Sequence, residues 1–416
     1  MMNKTPRILT LLCCLAIICV GPIAFARKPD YPKAPPYYPL PSGHFPLRAS
    51  STFYAPYLNE QQVKWLKEAG FNGMGQYLTY AELDTLLKYA EKYDLYAAVS
   101  LSDLRDTTKI AGIVDRYGNH PRTWLFTVWD EPHTSKFQQV KQICDKLRET
   151  GNPKPGLVNI FPAVSEKQCG APDYRTYVEE YVRTVNPAFI SYDAYPIRMD
   201  KNGNITVWDD YFYTLEVVSD VAKKSGRPFW GYVLCNKHWS YPKPTPAYLS
   251  YQIFTNLAYG AQSLGYFTYT LPDYDKTGEY SDAPIDKDGN RTDVWYFVRD
   301  LNREITNLEK VFLGAEVEDV SHTGRLTHGT KRLGKLPKPF RGIETHGEGV
   351  VVSRLKNDGR RYLVLVNKDV TGPQEVRVAL SNEVKRLYGD GSEASFTGGT
   401  ITLTPGGYAI FKYGGK

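Results

Sequence analysis

Two adjacent carboxylates close an apolar run of the chain, Thr123-Trp-Leu-Phe-Thr-Val-Trp-Asp-Glu-Pro132. A run this apolar reads as a buried strand, and its end delivers Asp130 and Glu131 side by side. Carboxylates crowded together resist joint ionisation, so one of them is expected to keep its proton near neutral pH. A protonated carboxyl is what cleavage of a glycosidic bond needs, because the leaving oxygen must take up a proton. The plainer reading has Asp130 capping the next helix and Glu131 paired with a surface cation. Position decides between them.

The elements around this strand supply the position. Short apolar runs alternate with amphipathic helical segments: strands near Arg48–Tyr54, Phe71–Gln76, Tyr96–Leu101, Thr123–Trp129, Leu157–Phe161, Phe189–Tyr192, Phe229–Leu234 and Leu264–Thr270. Between them, Asn59 is expected to cap one helix, Thr79 and Glu82 to form a capping box, and Thr245 to cap a helix with Pro246 at its first position. Helices near Asp209–Lys224 and Asp293–Val311 complete the series. Eight such units over about 265 residues match a (β/α)8 TIM barrel, whose usual size is roughly 250 residues. A doubly wound sheet also alternates, but no Gly-rich phosphate loop follows the first strand. From about Gly314 the pattern becomes short strands with turns such as Asn357-Asp358-Gly359 and Pro405-Gly406-Gly407, a C-terminal antiparallel β-sandwich.

In such a barrel the C-terminal strand ends carry function. They present Gln76 and Tyr77, Asp103, Asp130 and Glu131, Asn159, Asp193 and Tyr195, Asn236, His238 and Trp239, and Tyr269, Asp273 and Asp275. Tyr195, Trp239 and Tyr269 are candidate sugar platforms or hydrogen-bond donors, with a place in the core or at the rim as the plainer alternative, and Tyr77 is a further candidate substrate contact. Asn236 and His238 are candidate substrate contacts, His238 as a donor to a sugar hydroxyl. No second histidine or acid stands at zinc-ligand spacing. The acidic loop Asp273–Arg291 does not follow the ligand order of an EF-hand and reads as a solvated wall of the pocket.

The Trp-Asp-Glu-Pro strand end, preceded by Asn119-His120-Pro121, resembles the acid/base strand of barrel glycoside hydrolases. The stretch Thr245-Pro-Ala-Tyr…Asn256-Leu-Ala-Tyr-Gly-Ala261, leading into Leu264-Gly-Tyr-Phe-Thr-Tyr269, is similar to the seventh-helix and eighth-strand region of family 42-like enzymes. The resemblance implies Glu131 as general acid/base, and the reading as a whole calls for no cofactor. The chain departs from it at one place. Retaining members of that clan carry Asn-Glu on strand four and a nucleophilic Glu ending strand seven, whereas Gly231-Tyr-Val-Leu-Cys-Asn-Lys-His-Trp239 holds no carboxylate.

Two chemistries remain open. Asp130-Glu131 resembles the Asp-Glu pairs of family 20 and family 123 N-acetylhexosaminidases, in which the substrate's 2-acetamido oxygen attacks and the Asp orients it. Alternatively Asp193, two strands from Glu131 and so roughly 8 Å away at 4.8 Å per strand, activates water. That distance lies within the roughly 6.5–9.5 Å expected for inversion. A purely structural hydrogen bond is the plainer role for Asp193. A non-catalytic carbohydrate-binding protein on a decayed glycosidase barrel is the competing class, and the missing strand-seven Glu is its best support.

Composition narrows the partners. The 416 residues carry a formal net charge of +6, two units of it from Lys4 and Arg7, and no basic run, so nucleic acid is a poor partner. Residues 1–26 read as a signal peptide: a basic start, an apolar stretch Ile8–Ile23, and Ala24-Phe25-Ala26 before the cut. A secreted or periplasmic protein is expected, with a Pro-rich leader over 27–46, a barrel over 47–313 and a sandwich over 314–416. No later stretch has the roughly 20 apolar residues of a membrane span. Three cysteines lie in the signal; Cys144, Cys169 and Cys235 remain, enough for one disulfide at most. Aromatic content is 13%, with 32 tyrosines, which suits either a sugar cleft or a large core.

Overall fold

Residues 30–50, 57–75, 79–101, 106–272, 275 and 277–414 are described by the computed structural model. Residues 1–26, read above as a signal peptide, and Gln76, Tyr77, Asp103 and Asp273 lie outside the described residues. Tyr31–Lys416 forms one compact unit that holds both the barrel and the sandwich.

The strands of the first part are β1 (Leu47–Ala49), β2 (Gly73–Met74), β3 (Tyr96–Ser100), β4 (Thr123–Asp130), β5 (Gly156–Ile160), β6 (Ile190–Tyr192), β7 (Ile197–Met199), β8 (Ile205–Val207), β9 (Phe229–Leu234) and β10 (Leu264–Phe267). Eight of them, β1 to β6 with β9 and β10, close into a parallel barrel in chain order. The pair β7–β8 is a separate antiparallel hairpin after β6, in a stretch without sequence alternation strong enough to predict it. The expected caps form: Asn59 accepts from the Gln62 N–H, Thr79 and Glu82 make the capping box, and Thr245 caps the helix Pro246–Ala258. The expected helix over 293–311 is broken at Leu308 into Asp293–Asn307 and Glu309–Phe312.

The tyrosines mostly fill the core. Tyr174, Tyr177, Tyr181, Tyr192, Tyr211, Tyr251, Tyr259, Tyr266 and Tyr269 are all fully buried. The barrel interior is closed by stacked aromatics: Phe189 lies 3.7 Å from Trp230, and Trp230 5.0 Å from Trp124. Leu40 and Tyr37, from the proline-rich segment, pack against this cluster. That segment therefore has a packing role, which its lack of periodicity did not foretell.

The C-terminal part comprises β11 (Glu316–His322), β12 (Phe340–Thr345), β13 (Val350–Asn357), β14 (Arg360–Asn367), β15 (Gln374–Leu380), β16 (Val384–Leu387), β17 (Glu393–Phe396), β18 (Gly399–Leu403) and β19 (Tyr408–Tyr413). A six-stranded sheet, β11-β13-β14-β19-β16-β17, packs on a three-stranded one, β12-β15-β18. Strand parity explains why β13, β14 and β19 read as nearly continuous apolar runs. Val350, Val352, Leu363, Leu365, Ala409 and Phe411 face the smaller sheet, while Val351, Leu355, Tyr362, Val364, Val366 and Ile410 join the barrel core. Across that seam Tyr408 stacks on Phe254 at 3.6 Å and the Ser353 hydroxyl donates to the Ala258 carbonyl at 2.6 Å. Cys144, Cys169 and Cys235 are free and buried. Among the described residues no helix is long and apolar enough to cross a membrane.

Candidate active site

Strand register gathers the carboxylates. Asp130 of β4 stands opposite Asn159 of β5, and Asn159 opposite Ser191 of β6, so three residues form one row at the C-terminal mouth. A bulge between Thr127 and Trp129 inserts one residue into β4 and reverses its parity against β5, which is what aims Asp130 at that row. Glu131 follows with φ of +44°, a left-handed turn uncommon for a residue with a Cβ. Its N–H donates to the Asn159 carbonyl at 2.8 Å, and the Tyr177 hydroxyl donates to the Pro132 carbonyl at 2.8 Å. These two bonds hold the turn from both sides.

Asn159 is the hub. Its Nδ2 donates to Asp130 Oδ1 at 3.2 Å and to Asp193 Oδ1 at 2.8 Å, while its Oδ1 accepts from the Ser191 hydroxyl at 3.2 Å. Two carboxylates bridged by one nitrogen lie no further apart than those two bonds laid end to end. With Glu131 they make three carboxylates in one cleft, and among the described residues no cation forms an ion pair with any of them. Such a cluster must share protons. Burial, then the Asp193 and Asp130 charges, push Glu131 up to about 9. Burial and the Asp130 charge push Asp193 to about 7, against the pull of the donors from Asn159 and Tyr195. Asp130 is raised by its depth in the cleft, although its surface is open to the cleft itself.

The cleft has a volume of about 490 Å³, within the usual range for small-molecule sites. Asp130, Glu131, Asn159, Asp193, Tyr195, His238 and Trp239 all line it. Tyr195 stacks near-parallel to Phe267 at 6.0 Å, and Trp239 is 68% exposed with its indole N–H donating to Glu279. Burial drives His238 down to about 4, so the ring is neutral. With the Asn236 amide donating to Thr268, its Oδ1 accepts from His238 Nδ1, which leaves Nε2 as an acceptor.

Two expected contacts are placed elsewhere. Asn236 is fully buried and orients His238 without lining the cleft. Tyr269 is fully buried against Phe71 and accepts from the Trp295 indole at 3.1 Å. Its expected place rested on a strand running to Thr270; β10 ends at Phe267, and strand parity does not carry past that point. Phe267 lines the cleft instead.

The sequence reading missed Arg198, Tyr232, Tyr241 and Tyr280, which also line the cleft. Tyr232 was within reach of parity, since it follows Trp230 by two along β9. Tyr241 and Tyr280 come from loops, and Tyr280 stacks on His238 at 4.5 Å. Two aspartates of the acidic loop that carries Tyr280 serve its own turns: Asp275 accepts from the N–H groups of Gly278, Glu279 and Tyr280, and Asp286 from those of Asp288 and Asn290. Among the described residues no His, Cys, Asp and Glu grouping is set to hold a metal.

No protein-family model and no curated protein matches the chain. Solved structures do. A β-galactosidase from Bacillus circulans sp. alkalophilus shares the fold with a TM-score of 0.61 at 10% identity, over 89% of this chain and 99% of that one. A family 5 glycoside hydrolase from Bacteroides vulgatus aligns with a TM-score of 0.55 at 11% identity, over 88% and 89%. A family 42 β-galactosidase from G. stearothermophilus aligns with 0.53 at 10% identity, over 89% and 98%. The fold is one that glycoside hydrolases use. At such identities the likeness concerns architecture, barrel and C-terminal sheets together, and function has to be argued from the cleft.

Proposed function

We propose that the chain hydrolyses O-glycosidic bonds of oligo- or polysaccharides, with Glu131 giving its proton to the leaving oxygen. The observation that carries this reading is three carboxylates converging at the barrel mouth, none of them ion-paired with a cation among the described residues. One member of such a cluster stays protonated at neutral pH and can act as the acid. Glu131, held up to about 9 by burial and by the charges of Asp193 and Asp130, is the member assigned that role in this reading. Asp193, which accepts from Asn159 and is further held as an anion by Tyr195, is the group able to work as its ionised partner. Asp130 shares the Asn159 donor and polarises the same region. No cofactor enters the reaction.

The partner step takes one of two forms. Asp193 removes a proton from water as the water attacks the anomeric carbon, or the Asp130–Asp193 pair orients a 2-acetamido group whose oxygen makes that attack. A panel of aryl glycosides with and without the 2-acetamido group, tested on wild type and Glu131→Gln, separates them. Cleavage confined to 2-acetamido substrates supports the second, and cleavage of plain glycosides the first. In both cases Glu131→Gln loses most of the activity on aglycones that are poor leaving groups. Natural oligosaccharides that bind but are cleaved by neither protein would replace the enzyme by a binding protein. The amino-terminal segment fits export, so the mature chain is expected to begin at Arg27, which mass measurement of the exported protein checks.

A further inference from the structure

The hairpin β7–β8 brings into the cleft the one cation found among its described lining residues. Arg198 lies on β7 and lines the cleft, yet among the described residues it forms no ion pair with any carboxylate. It is nonetheless held in place. The Met199 N–H donates to the Ser240 carbonyl at 2.7 Å, which fastens the hairpin to the loop after β9. Arg198 Nη1 donates to the Ser240 hydroxyl at 3.3 Å, and the guanidinium lies 3.6 Å over the Tyr241 ring. A guanidinium has five N–H donors, and this anchoring occupies few of them.

Its place relative to the acids follows from the rings between them. Tyr241 stands edge-on to Tyr195 at 5.8 Å, and Tyr195 joins Asn159 in donating to Asp193. Two tyrosine rings thus link Arg198 to Asp193, and Tyr241 also lies 4.6 Å from the His238 ring. A cation so placed neutralises none of the acids. It lines the same cleft as Glu131.

We propose that Arg198 recognises an anionic group on the substrate sugar, a carboxylate as in a uronic acid or a sulfate ester. This rests on the glycosidase reading for its substrate class. The chemistry is favourable on two counts. Guanidinium forms paired, charge-assisted bonds to either anion, and its stacking on Tyr241 fixes the plane of the fork beforehand. An anionic sugar entering beside carboxylates also meets repulsion, which a cation inside the cleft offsets; a neutral sugar gains little from it.

Calorimetric binding tests this with the full chain and with Arg198→Gln and Arg198→Lys. The probes are 4-nitrophenyl glucuronides and 4-nitrophenyl 6-sulfo-N-acetylglucosaminides, in both anomeric forms, each beside its uncharged parent. Wild type is expected to bind at least one anionic class about tenfold or more tightly than its parent, with the margin shrinking as salt is raised. Which class shows the margin identifies the anion. In Arg198→Gln the margin should fall to within about twofold, and Arg198→Lys, which keeps the charge without the fork, should retain part of it. Equal binding of anionic and neutral probes by wild type, including no binding of either, overturns the proposal. So does a margin that survives in Arg198→Gln. Because binding is read without turnover, a preserved margin with no hydrolysis would sink the enzyme reading and leave this one standing.

Discussion

At the scale of single residues, the carboxylate cluster makes a claim about pH. Glu131 must be protonated to act and titrates up at about 9, while Asp193 must be ionised and titrates at about 7. Activity should therefore climb as pH rises through about 7 and fall as it rises through about 9. Asp193→Asn removes a charge that raises Glu131, so whatever activity survives should lose its alkaline limb at a lower pH than wild type. A pH–rate profile of kcat/KM checks both limbs, and an alkaline limb that stays put in Asp193→Asn contradicts the coupling. The pair Asp130-Glu131 was legible in the sequence because an apolar strand that ends in two acids has few structural uses. Asn159 was visible as a strand-end residue, but its role as the shared donor depends on the register of three strands and on the β4 bulge. No pattern along one strand contains that information.

At the scale of elements, the cleft depends on glycines that make room inside the barrel. A Cβ on Gly265 of β10 would meet the Tyr232 ring at 2.7 Å and Arg48 Nη2 at 2.9 Å. Tyr232 lines the cleft and Arg48 packs over both its ring and that of Trp230. Gly265→Ala is therefore expected to destabilise the protein by about 1–3 kcal/mol, the usual range for overpacking, and to weaken substrate binding by moving Tyr232. Urea unfolding and KM measure the two effects; an unchanged midpoint would show that the barrel interior yields without strain. Barrel strands were readable because burial on both faces leaves short apolar runs between capped helices. The hairpin β7–β8 was not readable. Its strands have three residues each and are partly exposed, so they lack the alternation that marks a strand, and Arg198 was lost with them.

At the scale of the whole molecule, barrel and sandwich share apolar surface. The six-stranded sheet places Val351, Leu355, Val364 and Ile410 in the core that also holds Phe254 and Leu257 of the barrel helix Pro246–Ala258. A seam built this way couples the two parts, so calorimetric unfolding should show one transition. Val364→Asp, which puts a charge into the seam, should lower that transition without splitting it. Two resolved transitions in wild type would mean that the parts fold independently. The division into a barrel and a β-sandwich was legible from the change of period near Gly314. The strands β11, β12 and β17 were not: their burial is mixed or low, as in β17, where three of four residues are exposed.

The most direct measurement of the central claim compares leaving groups. Wild type and Glu131→Gln are assayed on aryl glycosides that the wild type cleaves, with aglycones ranging from a poor leaving group such as phenol to 2,4-dinitrophenol. A general acid matters most where the leaving oxygen needs its proton, so the variant should lose on the order of 10²–10⁴-fold on the poor leaving groups and far less on 2,4-dinitrophenyl glycosides. A loss of the same size across the whole series would contradict Glu131 as the proton donor.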